Sequence, residues 1–126
     1  KAADQGLAKA QFSLGQFYAK GRGGLPKNET AAVNLYVLAA EGGHALAQFL
    51  LAVRLEQGKG TDRNLVEAMS WYIASVGISR GKLRRKVAEA RDRLAESLSD
   101  KEIVMAETFA EEWRRDFRKK ARQGKQ

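Results

Sequence analysis

Residues 39–51 read Ala39-Ala40-Glu41-Gly42-Gly43-His44-Ala45-Leu46-Ala47-Gln48-Phe49-Leu50-Leu51, and nearly the same order runs earlier as Ala2-Ala3-Asp4-Gln5-Gly6-Leu7-Ala8-Lys9-Ala10-Gln11-Phe12-Ser13-Leu14. Displaced by 37, positions 2–23 give 10 identities in 22, among them Gly21 and Gly23 over Gly58 and Gly60. Agreement at dispersed positions in one register marks an internal repeat. One residue is lost after the glycines, and a displacement of 36 then lays Asn28 over Asn64, Ala32 over Ala68 and Tyr36 over Tyr72.

The apolar spacing inside each unit is helical. Ala10, Leu14 and Tyr18 recur at i, i+4 and i+8, and Gly21-Arg22-Gly23-Gly24-Leu25-Pro26 then interrupts the pattern, so a helix is expected over about residues 8–20. Asn28 offers an N-cap to a second helix carrying Ala32, Leu35, Tyr36 and Ala39, which Gly42-Gly43 stops. The second copy predicts helices over 45–57 and 64–76, the latter opening with a capping-box pattern, Asn64-x-x-Glu67. Each repeat is thus a helical hairpin. Ala10, Gly15, Ala32, Ala39, Ala47, Ala52 and Ala68 let helix backbones approach closely, while Leu14, Tyr18, Leu35 and Trp71 fill the remaining space. A lone hairpin cannot bury its apolar surface, so the units are expected to stack.

The chain's 126 residues and 13.9 kDa suit one domain, and 44% hydrophobic against 30% charged residues is a globular balance. No stretch reaches the roughly 20 uncharged apolar residues of a membrane-spanning helix. Without cysteine there is no disulfide or thiolate chemistry, and a single histidine makes a metal site improbable, so no metal or cofactor is expected. The net charge of +8 is unevenly placed. Residues 1–79 carry 8 Lys/Arg against 6 Asp/Glu, and residues 80–126 carry 15 against 9. Lys1 stands where an initiating Met or signal peptide would begin, and the chain reads as trimmed.

These residues bring out a likeness. The sequence resembles the Sel-one-like repeat family, relatives of the tetratricopeptide repeats, whose pattern runs Ala-x-x-x-Leu-Gly-x-x-Tyr, Gly-x-Gly, Ala-x-x-Trp-Tyr and Ala-Ala-x-x-Gly. The first copy matches at Ala10, Leu14, Gly15, Tyr18, Gly21, Gly23, Ala32, Tyr36, Ala39, Ala40 and Gly43. The second matches at Ala47, Leu51, Gly58, Gly60, Asp62, Ala68, Trp71 and Tyr72, and departs where Ala52 and Leu55 replace Gly and Tyr and where it ends Ser75-Val76-Gly77. The resemblance implies an all-α fold, a right-handed α/α solenoid of helical hairpin repeats. Its expected organisation is the end of a preceding repeat at residues 1–6, repeats at 7–43 and 44–79, and a two-helix C-terminal cap with a basic tail at 80–126.

The cap reading rests on Leu83, Val87, Ala90, Leu94 and Leu98 in one amphipathic helix, and on Ser99-x-x-Glu102 opening another with Ile103, Ala106, Ala110, Trp113 and Phe117 on its inner stripe. That segment is similar to the closing helices of bacterial arrays of this family.

The resemblance also implies a function: a non-enzymatic scaffold that gathers other proteins, binding a peptide or helix in a concave groove lined by the first helix of each hairpin. Carried onto this chain, the groove residues are Lys9, Phe12, Gln16, Lys20, Leu46, Phe49, Val53 and Gln57. Helix 45–57 is apolar on nearly every side, so a covering is expected, either by Phe109, Trp113 and Phe117 of the closing helix packing over it or its neighbours, or by a partner. Catalysis is not supported. His44 is replaced by Leu7 in the other copy, the serines lie in no nucleophile elbow, and neither glycine loop fits a phosphate-binding pattern. An alternative function is binding of nucleic acid or an anionic membrane through Arg80, Lys82, Arg84, Arg85 and Lys86 and the basic end from Arg114 to Lys125. Self-association through an apolar edge at Ala8–Tyr18 is a further expectation.

Overall fold

A computed structural model of the chain describes the backbone of residues 2–124 and the side chains of residues 5–124. Lys1 and Lys125, placed above in the leading repeat end and the basic tail, lie outside the described residues. Six helices follow one another: α1 (Ala2–Lys20), α2 (Glu29–Glu41), α3 (Ala45–Gln57), α4 (Leu65–Ile78), α5 (Gly81–Ala95) and α6 (Asp100–Gln123). No strand occurs among the described residues.

The helix starts follow the local chemistry. Asn28 and Asn64 each accept a hydrogen bond from the backbone N–H three residues on, at 3.0 Å, which satisfies one of the unpaired donors of α2 and α4. At α6 the bond is reciprocal: the Ser99 hydroxyl accepts from the Glu102 N–H at 3.1 Å and the Glu102 carboxylate accepts from the Ser99 N–H at 2.9 Å. Residues 2–6, expected to end a preceding hairpin, instead run without a break into α1. Their counterparts 39–43 do end a helix, because Gly43 turns into the left-handed region at φ +86°, where Gly6 does not.

Helices α1 and α2 form one hairpin, α3 and α4 the next, and α3 docks on α2 to join them. Alanine makes these approaches possible: Ala32, Ala39, Ala40, Ala47, Ala52 and Ala68 are fully buried. Tyr36 and Tyr72, equivalent in the repeat, fill the two hairpin interiors and are likewise buried. The seam between hairpins holds buried Gln48, whose Nε2 donates to the Ala40 carbonyl at 3.0 Å.

Beyond the second hairpin the period breaks. Both α5 and α6 pack on α4, and they do not form a third hairpin with each other. Helix α5 contributes Val87, Ala90 and Leu94 to buried positions and α6 contributes Ala106 and Ala110. Helix α6 then reaches past α4 to the turn between α2 and α3, where Phe117 lies against Gly43.

Candidate interaction surfaces

One surface is the outer face of the first helix of each hairpin, α1 and α3. Lys9, Lys20 and Gln57 are exposed there, and Gln16, Leu46 and Val53 are half-buried. Phe12 and Phe49, expected to face the groove, are instead core residues at 7% and 9% exposure. Phe12 stacks on His44 with ring centroids 4.5 Å apart and meets Tyr36 at 5.7 Å, while Phe49 meets Tyr72 at 6.0 Å. Helical geometry explains it: three residues after Lys9 or Leu46 the side chain has swung about 60° toward the second helix of the hairpin. Four residues on, the chain returns to the outer face. That position is Leu50, which the sequence reading left out, and Leu46, Leu50 and Val53 form a half-buried apolar row at i, i+4 and i+7.

The junction of the hairpins is fixed by charge. Glu29, the first residue of α2, pairs with Arg54 of α3 and with Lys59 at 3.4 Å and Lys27 at 3.8 Å. The Arg54 hydrogen bond, with Lys59 beside it, holds the Glu29 carboxyl below its ordinary pKa of 4.5. The Tyr72 hydroxyl donates to Glu56 at 2.8 Å, and burial together with that carboxylate pushes the phenol well above its ordinary pKa. His44 caps α3: its Nδ1 accepts from the Ala47 N–H at 3.1 Å, and burial, with Lys9 nearby, lowers its pKa from the ordinary 6.5. The imidazole is thereby occupied in holding a helix start. No group of three or more His, Asp or Glu able to hold a metal occurs among the described residues.

A second concavity lies between α4 and α6. Trp113 meets Trp71 edge-on at 5.9 Å and stacks on Phe117 at 5.2 Å, and its indole N–H donates to the Glu41 carbonyl at 3.3 Å. Trp113 therefore settles on α4, the neighbour of α3, and on the end of α2, and Phe117 on the turn at Gly43. Phe109 is not used in this packing and remains 48% exposed, with Met105 at 44%. Between the helices is an open cleft of about 680 Å³.

Stacked helical hairpins with small residues at their crossings define an α/α solenoid. The Sel1 repeat family profile matches residues 8–44 and 45–75, and the chain belongs to that family. DAP3-binding cell death enhancer 1 of Rattus norvegicus is 46% identical over 78 residues, covering 62% of this chain and 15% of that protein. The Mus musculus protein of the same name is 44% identical over 87 residues, 69% of this chain and 16% of its own length. This chain thus spans about a sixth of those relatives. Among solved structures, a protective antigen present in uropathogenic Escherichia coli strains and displaying an SLR fold superposes with a TM-score of 0.79 at 28% identity, over 98% of this chain and 26% of that one. A Sel1 repeat protein from Oxalobacter formigenes gives 0.60 at 34% identity, over 67% and 62%. Sel1 repeat proteins generally act as protein–protein interaction scaffolds, and their solenoid is typically non-catalytic.

Proposed function

We propose that this chain is a non-enzymatic interaction module that holds a partner peptide or helix along the outer face of α1 and α3. The observation that carries the reading is the row Leu46, Leu50 and Val53, half-buried in the absence of any partner and continued by Lys9, Gln16, Lys20 and Gln57. An apolar centre with a polar and cationic margin is the anatomy of a protein interface. Phe12 and Phe49 hold this face in place from beneath, so their role is support. The test is a pair of affinity captures, one with the wild-type chain as bait and one with Leu46→Glu/Val53→Glu. Partners of this face disappear from the second capture while circular dichroism stays unchanged; an identical set from both baits refutes the reading.

A second reading has its own observation. Arg80, Lys82, Arg84, Arg85 and Lys86 are exposed around the start of α5, and none is paired with a carboxylate among the described residues. Cations at a helix N-terminus oppose the helix dipole, so helix stability does not account for them. Nucleic acid or an anionic membrane surface would neutralise them, and retention of labelled duplex DNA or of phosphatidylserine vesicles, lost on adding salt, is the expected result.

A further inference from the structure

The cleft between α4 and α6 is acidic in a basic protein. Glu41, Glu67, Glu112 and Asp116 line it, no Lys, Arg or His does, and the chain as a whole carries +8. None of these four carboxylates makes an ion pair among the described residues. The floor is aromatic, with Trp71 and Trp113 in contact, and the exposed Phe109 and Met105 form an apolar flank.

We propose that this cleft is a second binding site, for a polypeptide segment that presents arginine or lysine beside apolar side chains. Charge selects the occupant. Four unpaired carboxylates repel an acidic segment and leave a neutral apolar one without partners for them, whereas a guanidinium lies against an indole face and reaches a carboxylate at the same time. The apolar side chains of the segment cover Phe109 and Met105, which the fold leaves in water. Two exposed aromatic or thioether side chains and a ring of same-sign charge on one cleft give both an anchor and a filter. The site is separate from the face of α1 and α3 and does not depend on it.

Tryptophan emission reads this cleft directly, because the chain's 2 tryptophans are Trp71 and Trp113. The probes are a synthetic amphipathic helical peptide with a leucine face flanked by arginines, and its twin with glutamate at every arginine. Titrated into the whole chain, the arginine peptide shifts the emission and binds at least about tenfold more tightly than its twin, the combined effect of several exposed charge pairs. Glu112→Lys/Asp116→Lys removes about tenfold of that preference by the same arithmetic. Phe109→Ser, at an exposed position, weakens both peptides alike, and Leu46→Glu/Val53→Glu changes neither. Thermal melts of each variant confirm an intact fold. Equal binding of the two peptides, binding of neither, or an arginine-peptide affinity untouched by Glu112→Lys/Asp116→Lys overturns the proposal. So does a dimer in sedimentation that the same double substitution dissolves, since the occupant would then be another copy of this chain.

Discussion

His44 is the residue whose chemistry is most exposed to change. Its neutral Nδ1 accepts the Ala47 N–H, and a protonated imidazole has no acceptor left to do so. Because its folded pKa lies below the ordinary 6.5, the unfolded chain takes up the proton first. The contribution of His44 to stability is therefore complete above that value, declines as pH falls through it, and levels off below the folded pKa. Urea unfolding from neutral pH to about pH 5 should show this decline, and His44→Asn, which caps without titrating, should flatten it. His44→Ala should cost about 1 kcal/mol at neutral pH. Gly60 is the other sensitive position. At φ +78° it sits where a Cβ would come within 2.5 Å of the Glu29 carbonyl oxygen, which is backbone and cannot step aside. Gly60→Ala should destabilise by about 2 kcal/mol or more, read as a lowered thermal midpoint.

Among the elements, the first four helices and their order are legible in the sequence, because caps and breakers act locally: Asn28, Asn64 and the Gly42-Gly43 pair announce their ends within a few residues. The placement of α6 is not. Its stripe of Ile103, Ala106, Ala110, Trp113 and Phe117 declares an apolar side without declaring what it meets. That depends on distant facts, namely an indole at Trp71 to lean on and a bare backbone at Gly43, where a Cβ would stand 2.6 Å from the Phe117 ring. Of the residues the resemblance implies for a groove, Leu46 and Val53 lie half-buried on α3 while Leu50 between them was not named, and a helix turns far enough in three residues to bury Phe12 and Phe49. The acidic cleft left only a faint trace, carboxylates on separate helices that spacing along the chain does not join. Trp113→Ala should cost about 2 kcal/mol, less than a fully buried tryptophan, and should raise hydrogen exchange in the second half of α6 well before that of α1–α4.

At the scale of the whole molecule, the two copies of the repeat differ in burial. Leu14 is 41% exposed on α1, while its counterpart on α3, Leu51, is 1% exposed because α3 rests on the first hairpin. Leu7 at 58% and Phe17 at 43% continue that stripe. An apolar stripe of this kind suits a packing neighbour, and for the 126-residue polypeptide by itself sedimentation over a dilution series should show a dimer that Leu14→Lys/Phe17→Lys abolishes without lowering the thermal midpoint. The indole of Trp113 has a different consequence. By tying α6 to the last carbonyl of α2 while the same helix lies on α4, it turns two neighbouring repeats into one closed loop of contacts. Tension applied at the C-terminal end must peel α6 away like a latch before any load arrives at the joint between the hairpins, so the array yields from its fastening inward and not at its seam.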